Sequence, residues 1–286
     1  MAGAEDGTGG APREDGRLAS TSDAATPLIE HLRGGGASAL SKYQAMFVGS
    51  RSLGALVAYE AVVALLGPVP GGLGLALRKT LLPLVLGGAG RNLLVARNVT
   101  FRCPGRIRVG DNVTLDEGAV LDAKGSGPDA GVRLGSHVLI GRNSILSGTD
   151  ASIELGDFVS MGPNCYLRTG SFIRIGSNVS IGPYTAVIAG EHAFDDPHTP
   201  VLMQARLSKG ITVGDGAWLG VRSTILDGVT VGRDAVVGAG SLVRDDVPEG
   251  AVVVGVPARV VRYRGDAAAG AARAAEAADG ERKEGR

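Results

Sequence analysis

Aromatic residues and cysteines are scarce in this sequence of 286 residues, which contains five Phe, five Tyr, one Trp and two Cys. Glycine is abundant, with 46 positions, and hydrophobic residues make up 44% of the chain. The core is therefore expected to consist of small and branched aliphatic side chains rather than aromatic rings. Two cysteines are too few for a disulfide framework.

Neither sign of charge predominates, because 29 Lys and Arg residues balance 29 Asp and Glu residues. The molecule as a whole is therefore not expected to bind nucleic acid. Long hydrophobic runs are also missing. The apolar stretches at 53–66 and 73–86 are each shorter than the roughly 20 residues that span a bilayer, and a turn-forming GPVPGG separates them. The sequence does not open on a leader-like series of residues, and we expect a cytoplasmic protein.

Composition divides the chain into four segments. Residues 1–26 are small, polar and acidic, and residues 265–286 are rich in Ala, Gly, Arg and Glu, so both predict disordered tails. Residues 27–90 predict helices, and residues 91–264 carry a short repeat. The helices are interpreted as a cap over the open end of a repeat stack, and contact of residues 53–86 with a membrane surface is the alternative.

The repeat is an aliphatic residue at every sixth position, commonly followed by glycine, in six groups of three. Four positions after nearly every one of these residues comes a small or β-branched residue. This period is typical of a β-helix, in which each hexapeptide is one short strand and its turn, and the glycine is expected to allow a tight corner. Three hexapeptides per coil predict a mainly β fold of about six coils. The groups are Val109, Leu115 and Leu121; Leu134, Ile140 and Leu146; Leu155, Met161 and Leu167; Ile175, Ile181 and Val187; Val213, Leu219 and Ile225; and Val231, Val237 and Val243.

The longest break in this period lies between Val187 and Val213. A stacked coil does not need so long an excursion, and long loops on rigid scaffolds tend to carry function. The loop at 188–210 contains His192 and His198, and acidic residues surround them. The loop is therefore the candidate active-site segment, with His192 as a general base or, alternatively, as a surface histidine.

Several motifs accompany the repeats: GEHAFDDP at 190–197, AWLG at 217–220, VGAGSLV at 237–243 and GVPARVVR at 255–262. Together they resemble the hexapeptide-repeat acyltransferases, and within that family the maltose, galactoside and polysaccharide-cluster O-acetyltransferases. The resemblance covers residues 90–263. It implies a left-handed parallel β-helix that forms homotrimers, with each active site in a cleft between neighbouring subunits. It further implies acetyl-CoA as co-substrate, no metal, and transfer of the acetyl group to a hydroxyl of a sugar, polysaccharide precursor or natural product.

The resemblance also implies roles for individual residues. His192 matches the loop histidine that acts as general base, a task that suits an imidazole near neutral pH. Asp195 is a candidate to orient His192, or else a solvated turn residue. Asn164 lies where relatives place polar groups near the acceptor, although asparagine is also common at repeat corners. His198, between two prolines, is expected to be a turn residue.

A second set of residues is implied for the coenzyme. The only tryptophan directly precedes an inward-pointing aliphatic residue and is therefore turned outward, toward a neighbouring subunit or the pantetheine arm. A small residue at each of two corners would leave room for pantetheine, and arginines after the last coil suit the phosphates. The sequence departs from the family at the first of these arginines. It has Arg-Asp-Asp where many relatives have Thr-Lys-Asp, so the position of the family's lysine is acidic here. The candidates are Trp218, Gly220, Ala239, Arg244, Arg259 and Arg262.

Three other interpretations remain. Cys165 could be a nucleophile, but its repeat position predicts a core side chain, and Cys103 has no evident partner. A metal-dependent enzyme like the γ-class carbonic anhydrases needs three histidines, and His31 and His137 lie in segments far from the loop. A non-catalytic trimeric β-helix scaffold would explain the repeats but not the loop, the tryptophan or the arginines.

Overall fold

The computed structural model of the chain describes residues 36–125, 127 and 130–266, with the side chains of Ala64 and Leu65 left aside. The predicted tail at 1–26, the start of the predicted helical segment up to residue 35, and the predicted tail from residue 267 onward lie outside these residues.

The described chain begins with helices. Helix α1 spans Ala39–Tyr43 and continues as a π-helical segment, Gln44–Val48. Helix α2 spans Leu53–Leu66, and α3 spans Gly71–Leu81, followed by a 3-10 turn. The side chain of Ser52 accepts a hydrogen bond from the Ala55 amide at 3.4 Å, so a serine caps the start of α2.

From residue 88 onward the chain winds into a parallel β-helix in which every coil contributes three short strands. In chain order these are β1 Gly88–Ala89, β2 Leu94–Val95 and β3 Thr100–Arg102; β4 Ile107–Val109, β5 Thr114–Leu115 and β6 Val120–Lys124; β7 Gly131–Leu134, β8 Leu139–Ile140 and β9 Ile145–Thr149; β10 Ser152–Leu155, β11 Ser160–Met161 and β12 Tyr166–Thr169; β13 Phe172–Ile175, β14 Ser180–Ile181 and β15 Ala186–Ala189; a hairpin of β16 Glu191–His192 and β17 Arg206–Leu207; β18 Ile211–Val213, β19 Trp218–Leu219 and β20 Thr224–Ile225; β21 Thr230–Val231, β22 Val236–Val237 and β23 Leu242–Val243; and β24 Ala251–Gly255 and β25 Ala258–Tyr263.

The first, second and third strands of successive coils pair in parallel and form three faces, named sheet 1, sheet 2 and sheet 3. Strand β24 extends sheet 2 beside β22, and β25 pairs with β24 in antiparallel fashion. The predicted mainly β architecture is confirmed, with one correction to its size. A further coil, β1 to β3, precedes the six that the period predicts.

The core is a column of the predicted aliphatic side chains. All eighteen repeat positions from Val109 to Val243 are no more than 6% exposed. The residues four positions later also point inward; Ala119, Val138 and Thr185 are examples, each at most 1% exposed. The interior of the prism is narrow and is filled by one layer of small side chains per coil. Large aromatic rings would not fit there, which accounts for the low aromatic content.

The corners require two different properties. One residue per corner adopts left-handed backbone, as Asn112 does at φ 57° and Asn143 at φ 54°. Where a glycine follows the aliphatic residue it serves another purpose: a Cβ on Gly141 would lie 2.5 Å from the carbonyl carbon of Gly162 in the next coil. These glycines lie at the corners as expected and need to lack a Cβ, but the reason is close stacking of the coils rather than left-handed backbone.

The helices cover the first coil. Tyr59 of α2 is buried and its hydroxyl donates to the Phe101 carbonyl of β3 at 3.1 Å. Leu82 and Leu86, which follow α3, belong to the same hydrophobic core as the coils. These contacts close the end of the prism that would otherwise expose the core and an unpaired sheet edge.

A buried arginine joins the helices to the coil. Arg78 of α3 is 4% exposed, and its guanidinium donates to the carbonyl oxygens of Val95 at 2.8 Å, Leu66 at 2.9 Å and Val69 at 2.8 Å. One side chain thus connects the end of α2, the turn after it and strand β2.

The outer surface of the helices is apolar. Leu53, Leu73 and Leu84 are each more than two-thirds exposed. Within the described residues no single helix is long and apolar enough to cross a membrane; Ala39–Val48 and Leu53–Val63 reach that length and composition only as a pair, with a bend of 64° between them. Contact of this surface with a membrane stays a prediction.

Candidate active site

The loop at 188–210 leaves sheet 3 after β15 and returns to sheet 1 at β18. Gly190, at φ 141°, turns the chain outward into the hairpin of β16 and β17. Glu191 pairs with Leu207 and His192 with Arg206, so two antiparallel pairs fix the base of the loop. Backbone pairing therefore determines where His192 lies relative to sheet 3.

The tip of the loop is a turn built on Asp196. Its carboxylate accepts hydrogen bonds from the His198 amide at 2.8 Å and the Thr199 hydroxyl at 2.6 Å. The hydrogen bond from Thr199, and then that from His198, hold the pKa of Asp196 below its ordinary value. Gln204 donates to the backbone oxygens of both Asp196 and Thr199 at 2.8 Å. His198 is exposed and belongs to this turn, as predicted from its prolines.

His192 is half-buried and lines a pocket of about 100 Å³ between the hairpin and sheet 3. Its Nδ1 atom is buried and has no hydrogen-bond partner among the described residues. A buried ring nitrogen without a partner is costly in a finished structure and is expected where a ligand or a neighbouring chain completes the contacts. Polar residues of β9, β12 and β17 line the same pocket, among them Thr149, Arg168 and Arg206.

Asp195 is not brought to His192. The side chain is exposed and makes no hydrogen bond or ion pair within the part of the chain that the structure describes. Asp196, the other acidic candidate of the loop, is occupied by the turn at the tip. The orienting role of Asp195 stays a prediction. In that role Asp195 would reach His192 only after a rearrangement of the loop or through a bridging water.

Trp218 points outward from sheet 2, as the strand alternation predicts, and its side chain is 54% exposed. Gly220 and Ala239 occupy successive coils at the corner between sheets 2 and 3, where Ala239 is exposed. A Cβ on Gly220 would lie 2.6 Å from the Val237 carbonyl oxygen, so this glycine is explained by coil stacking without any ligand. Its contact with pantetheine stays a prediction.

Two of the three predicted phosphate-binding arginines converge. Arg244 and Arg259 both face Asp245, at 3.6 Å and 3.0 Å between charged atoms. Arg262 is exposed and its Nη1 lies 3.4 Å from the Tyr263 carbonyl. All three are exposed, and such surface ion pairs are weak enough for a phosphate to displace Asp245.

The loop site and the predicted coenzyme residues lie on different parts of the prism. His192 lies beside sheet 3 at the edge toward sheet 1, whereas Trp218 lies on sheet 2 and Arg259 on the terminal strand beside it. None of the predicted coenzyme residues lines the His192 pocket. Asn164 is an exposed corner residue with φ 58° and does not line it either.

A wider groove of about 630 Å³ crosses sheet 1, and it contains none of the predicted site residues. Its charged side chains mostly pair with each other: Arg133 with Glu154 at 3.1 Å, and Arg233 with Asp215 at 3.0 Å. The smaller pocket at His192 is the chemically better candidate, because the Nδ1 atom of His192 and the guanidinium of Arg168 have no partner among the described residues.

The cysteines are structural. Cys165 is 1% exposed, its Sγ donates to the Gly182 carbonyl at 3.1 Å, and burial raises the pKa of its thiol. Burial also raises the pKa of Cys103 to about 11. A thiol that stays protonated is a poor nucleophile. Among the described residues no group of three His, Cys, Asp or Glu side chains is arranged to hold a metal ion.

Sequence reasoning missed Arg168, which lines the His192 pocket. The signal was available: Arg168 follows the inward-pointing Leu167 and precedes the inward-pointing Thr169, so alternation turns it outward on the strand of sheet 3 next to the loop strand β15. What the sequence does not give is the distance in space between β12 and the loop that begins twenty residues later.

Comparisons with known proteins agree with this architecture. Residues 210–245 match the family described as bacterial transferase hexapeptide (six repeats). A probable acetyltransferase of Mycobacterium tuberculosis is 30% identical over 159 residues, which cover 54% of this chain and 53% of that protein. This chain thus spans about half the length of the mycobacterial relative.

Nodulation protein L of Rhizobium meliloti is 38% identical over 136 residues, covering 47% of this chain and 67% of that protein. Among solved structures, the N-acyltransferase AntD of Bacillus cereus, in complex with dTDP and 3-hydroxybutyryl-CoA, is 22% identical and has a TM-score of 0.45, with 68% of this chain and 92% of that chain covered. The sequence relatives, rather than this structural likeness, decide the classification. The repeat match and the coverage of the rhizobial protein together show that this chain belongs to the hexapeptide-repeat acyltransferase family.

Proposed function

We propose that this protein transfers an acetyl group from acetyl-CoA to a hydroxyl of a saccharide-type acceptor, with His192 as general base. The observation that carries the proposal is the buried, unpartnered Nδ1 of His192 in a pocket at the one long break of the described coils. Sugars, polysaccharide precursors and natural products with free hydroxyls are the acceptors under consideration. The mycobacterial relative, itself called a probable acetyltransferase, supports the reaction type.

The proposed chemistry is direct transfer. Acetyl-CoA supplies the acyl group as a thioester. His192 removes the proton of the acceptor hydroxyl as its oxygen forms a bond to the acyl carbon, and a backbone N–H stabilises the oxyanion. When the carbon–sulfur bond breaks, the imidazolium of His192 returns that proton to the departing thiolate. The histidine ends neutral, and no acyl-enzyme forms.

Residues on other faces would hold the coenzyme. The exposed Trp218, beside Gly220 and Ala239, offers an apolar surface for the pantetheine arm. Arg244 and Arg259, already close together at Asp245, and Arg262 would bind the phosphates. Trp218, Ala239 and the three arginines fit the task because their side chains are exposed.

A homotrimer would bring the two halves of the site together. In one chain His192 and Trp218 lie on different faces, so a complete site needs the His192 loop of one subunit beside the tryptophan face of the next. Exposed apolar side chains on the prism, such as Phe158 and Tyr184, would then be covered. Light scattering should give a mass near three times 28.9 kDa, and a monomer at micromolar concentration would contradict the assembly.

The test of the reaction compares two histidines of the same loop. His192→Ala should lower turnover by about 10² to 10⁴-fold, the usual value of a general base, in an assay that follows free thiol release with a panel of hydroxyl acceptors. His198→Ala is the matched control and should keep most of the activity, because His198 supports the turn through its backbone amide. Both variants should keep the melting temperature and the dissociation constant for CoA.

The outcomes separate the alternatives. Turnover by His192→Ala near that of the wild type would refute the general base. Absence of thiol release with every acceptor, together with a trimeric mass, would favour the non-catalytic scaffold.

A further inference from the structure

The side chains around His192 on sheet 3 include an arginine, Arg168, that has no acidic partner among the described residues. We propose that the acceptor carries an anionic group, a carboxylate or a phosphate ester, which pairs with the guanidinium of Arg168 while a hydroxyl of the same molecule faces His192. This inference rests on the acetyl transfer proposed above, since it concerns the acceptor of that reaction.

The charge lies in one row across sheet 3, where strands β3, β6, β9, β12 and β15 place outward side chains in register. The only carboxylate of the row, Asp122, is 4% exposed and is already paired: Lys124 donates to it, and Arg102 lies 3.7 Å away. It is therefore not available to Arg168, which lies two strands further along. In order, the row is Arg102, Asp122, Ser147, Arg168 and Ile188.

Arg168 has no anionic neighbour in this row. Its register partners are Ser147 and Ile188, and it makes no hydrogen bond, ion pair or ring contact within residues 36–125, 127 and 130–266. Sheet 1 shows the contrasting case, because there Arg133 has Glu154 as its register partner at 3.1 Å. The guanidinium of Arg168 thus keeps its planar set of donors free, the geometry that pairs with carboxylate and phosphate oxygens.

The other charged side chains of the pocket do not cancel this charge. Arg206, which has contacts of its own, and the exposed Glu191 line it together with Arg168 and His192. The pocket lining thus has two arginines and one glutamate, a net charge of one positive before His192 is counted. An uncharged sugar would leave that charge unpaired at a site where the acceptor excludes water, whereas an anionic acceptor would neutralise it.

The experiment measures acetyl transfer to three related acceptors: glucose 1-phosphate, glucuronate and the uncharged methyl glucoside. The quantity of interest is the ratio of kcat/KM for each anionic acceptor to that for the neutral one. In the wild type this ratio should be at least tenfold for one of the two anions, and the comparison between them distinguishes phosphate from carboxylate recognition. Arg168→Gln should reduce the ratio by about 10- to 100-fold, mainly through KM, because a hydrogen-bonded charge pair is lost. Arg168→Lys should restore part of it.

Arg174→Gln is the matched control. Arg174 is also an exposed arginine on a strand of this prism, but it lies on sheet 1 over the ring of Phe172, 4.5 Å from its centre. This variant should leave the ratio unchanged. Equal effects of Arg168→Gln and Arg174→Gln, or a wild-type ratio near one for both anions, would overturn the proposal.

A binding measurement separates this inference from the proposed reaction. Calorimetric titration of the same three sugars into the trimer, without acetyl-CoA, reads recognition alone. Weaker binding of the anion to Arg168→Gln than to the wild type supports the anionic site even if no thiol is released. The anionic site is refuted if neither anion binds to the wild type. It is also refuted if Arg168→Gln loses the trimer and the preference for the anionic sugar over the neutral one stays intact.

Discussion

Replacing Arg78 by methionine should destabilise the whole protein, because this side chain is the main polar connection between the helices and the first coil. Methionine keeps most of the apolar stem, so the change isolates the guanidinium. Three carbonyl oxygens, of Val95, Leu66 and Val69, then lose donors at 2.8 to 2.9 Å. An orphaned buried acceptor costs about 1 to 3 kcal/mol. Since the cost of burying a charge is also removed, a net loss of about 3 to 5 kcal/mol is expected.

The assay is thermal unfolding followed by circular dichroism. A change of this size should lower the Tm by roughly 10 °C in a domain of this length. The matched control is Arg91→Met, since Arg91 pairs with Asp111 at 2.7 Å but has a side chain that is 87% exposed. Exposed ion pairs contribute little to stability, so the control should shift the Tm by no more than about 2 °C. Equal shifts for the two variants would show that burial of the Arg78 hydrogen bonds does not secure the cap.

Two further predictions concern the thiol and the helices. Cys165→Ser should keep activity, because a hydroxyl can also donate to the Gly182 carbonyl, and an acetylated Cys165 found by intact-protein mass spectrometry would contradict direct transfer. Detergent-free lysis should leave the protein in the supernatant, or in a pellet that salt releases, if α2 and α3 act as a cap. Should the helices contact a membrane surface as well, Val57→Glu, at a position 66% exposed, should prevent sedimentation with lipid vesicles without changing the Tm.

The period of six determined most of the fold because each hexapeptide repeats the same requirement: one aliphatic side chain points inward, and at most corners a glycine follows where the next coil passes. The extra coil escaped detection although Ala89, Val95 and Phe101 keep the same spacing. Alanine and phenylalanine hide the pattern, since one is too small and the other too large to read as the usual aliphatic residue. The first coil tolerates them because only one of its two sides stacks on another coil, while the other side packs on helices.

The site was predictable only in part. His192 was singled out because the loop interrupts a regular pattern; the structure places it in a pocket, and its role as general base stays a prediction. The motif GEHAFDDP does not show which aspartate holds the turn at the loop tip, because the two are adjacent and chemically the same. In the structure Asp196 accepts hydrogen bonds from a backbone amide and a hydroxyl. Arg168 was missed because a local pattern gives the direction of a side chain and not which distant strand lies beside it.

The number of coils determines where the His192 loop lies along the prism. The hairpin with His192 follows β15, the third strand of the fifth coil, and α2 and α3 cover the first. With neighbouring strands about 4.8 Å apart, four intervals place the loop roughly 19 Å along the axis from the capped end. A coil inserted or deleted as a unit would preserve strand pairing and glycine stacking while moving the loop by one interval. The prism therefore acts as a spacer whose number of coils sets the distance between His192 and the helical cap.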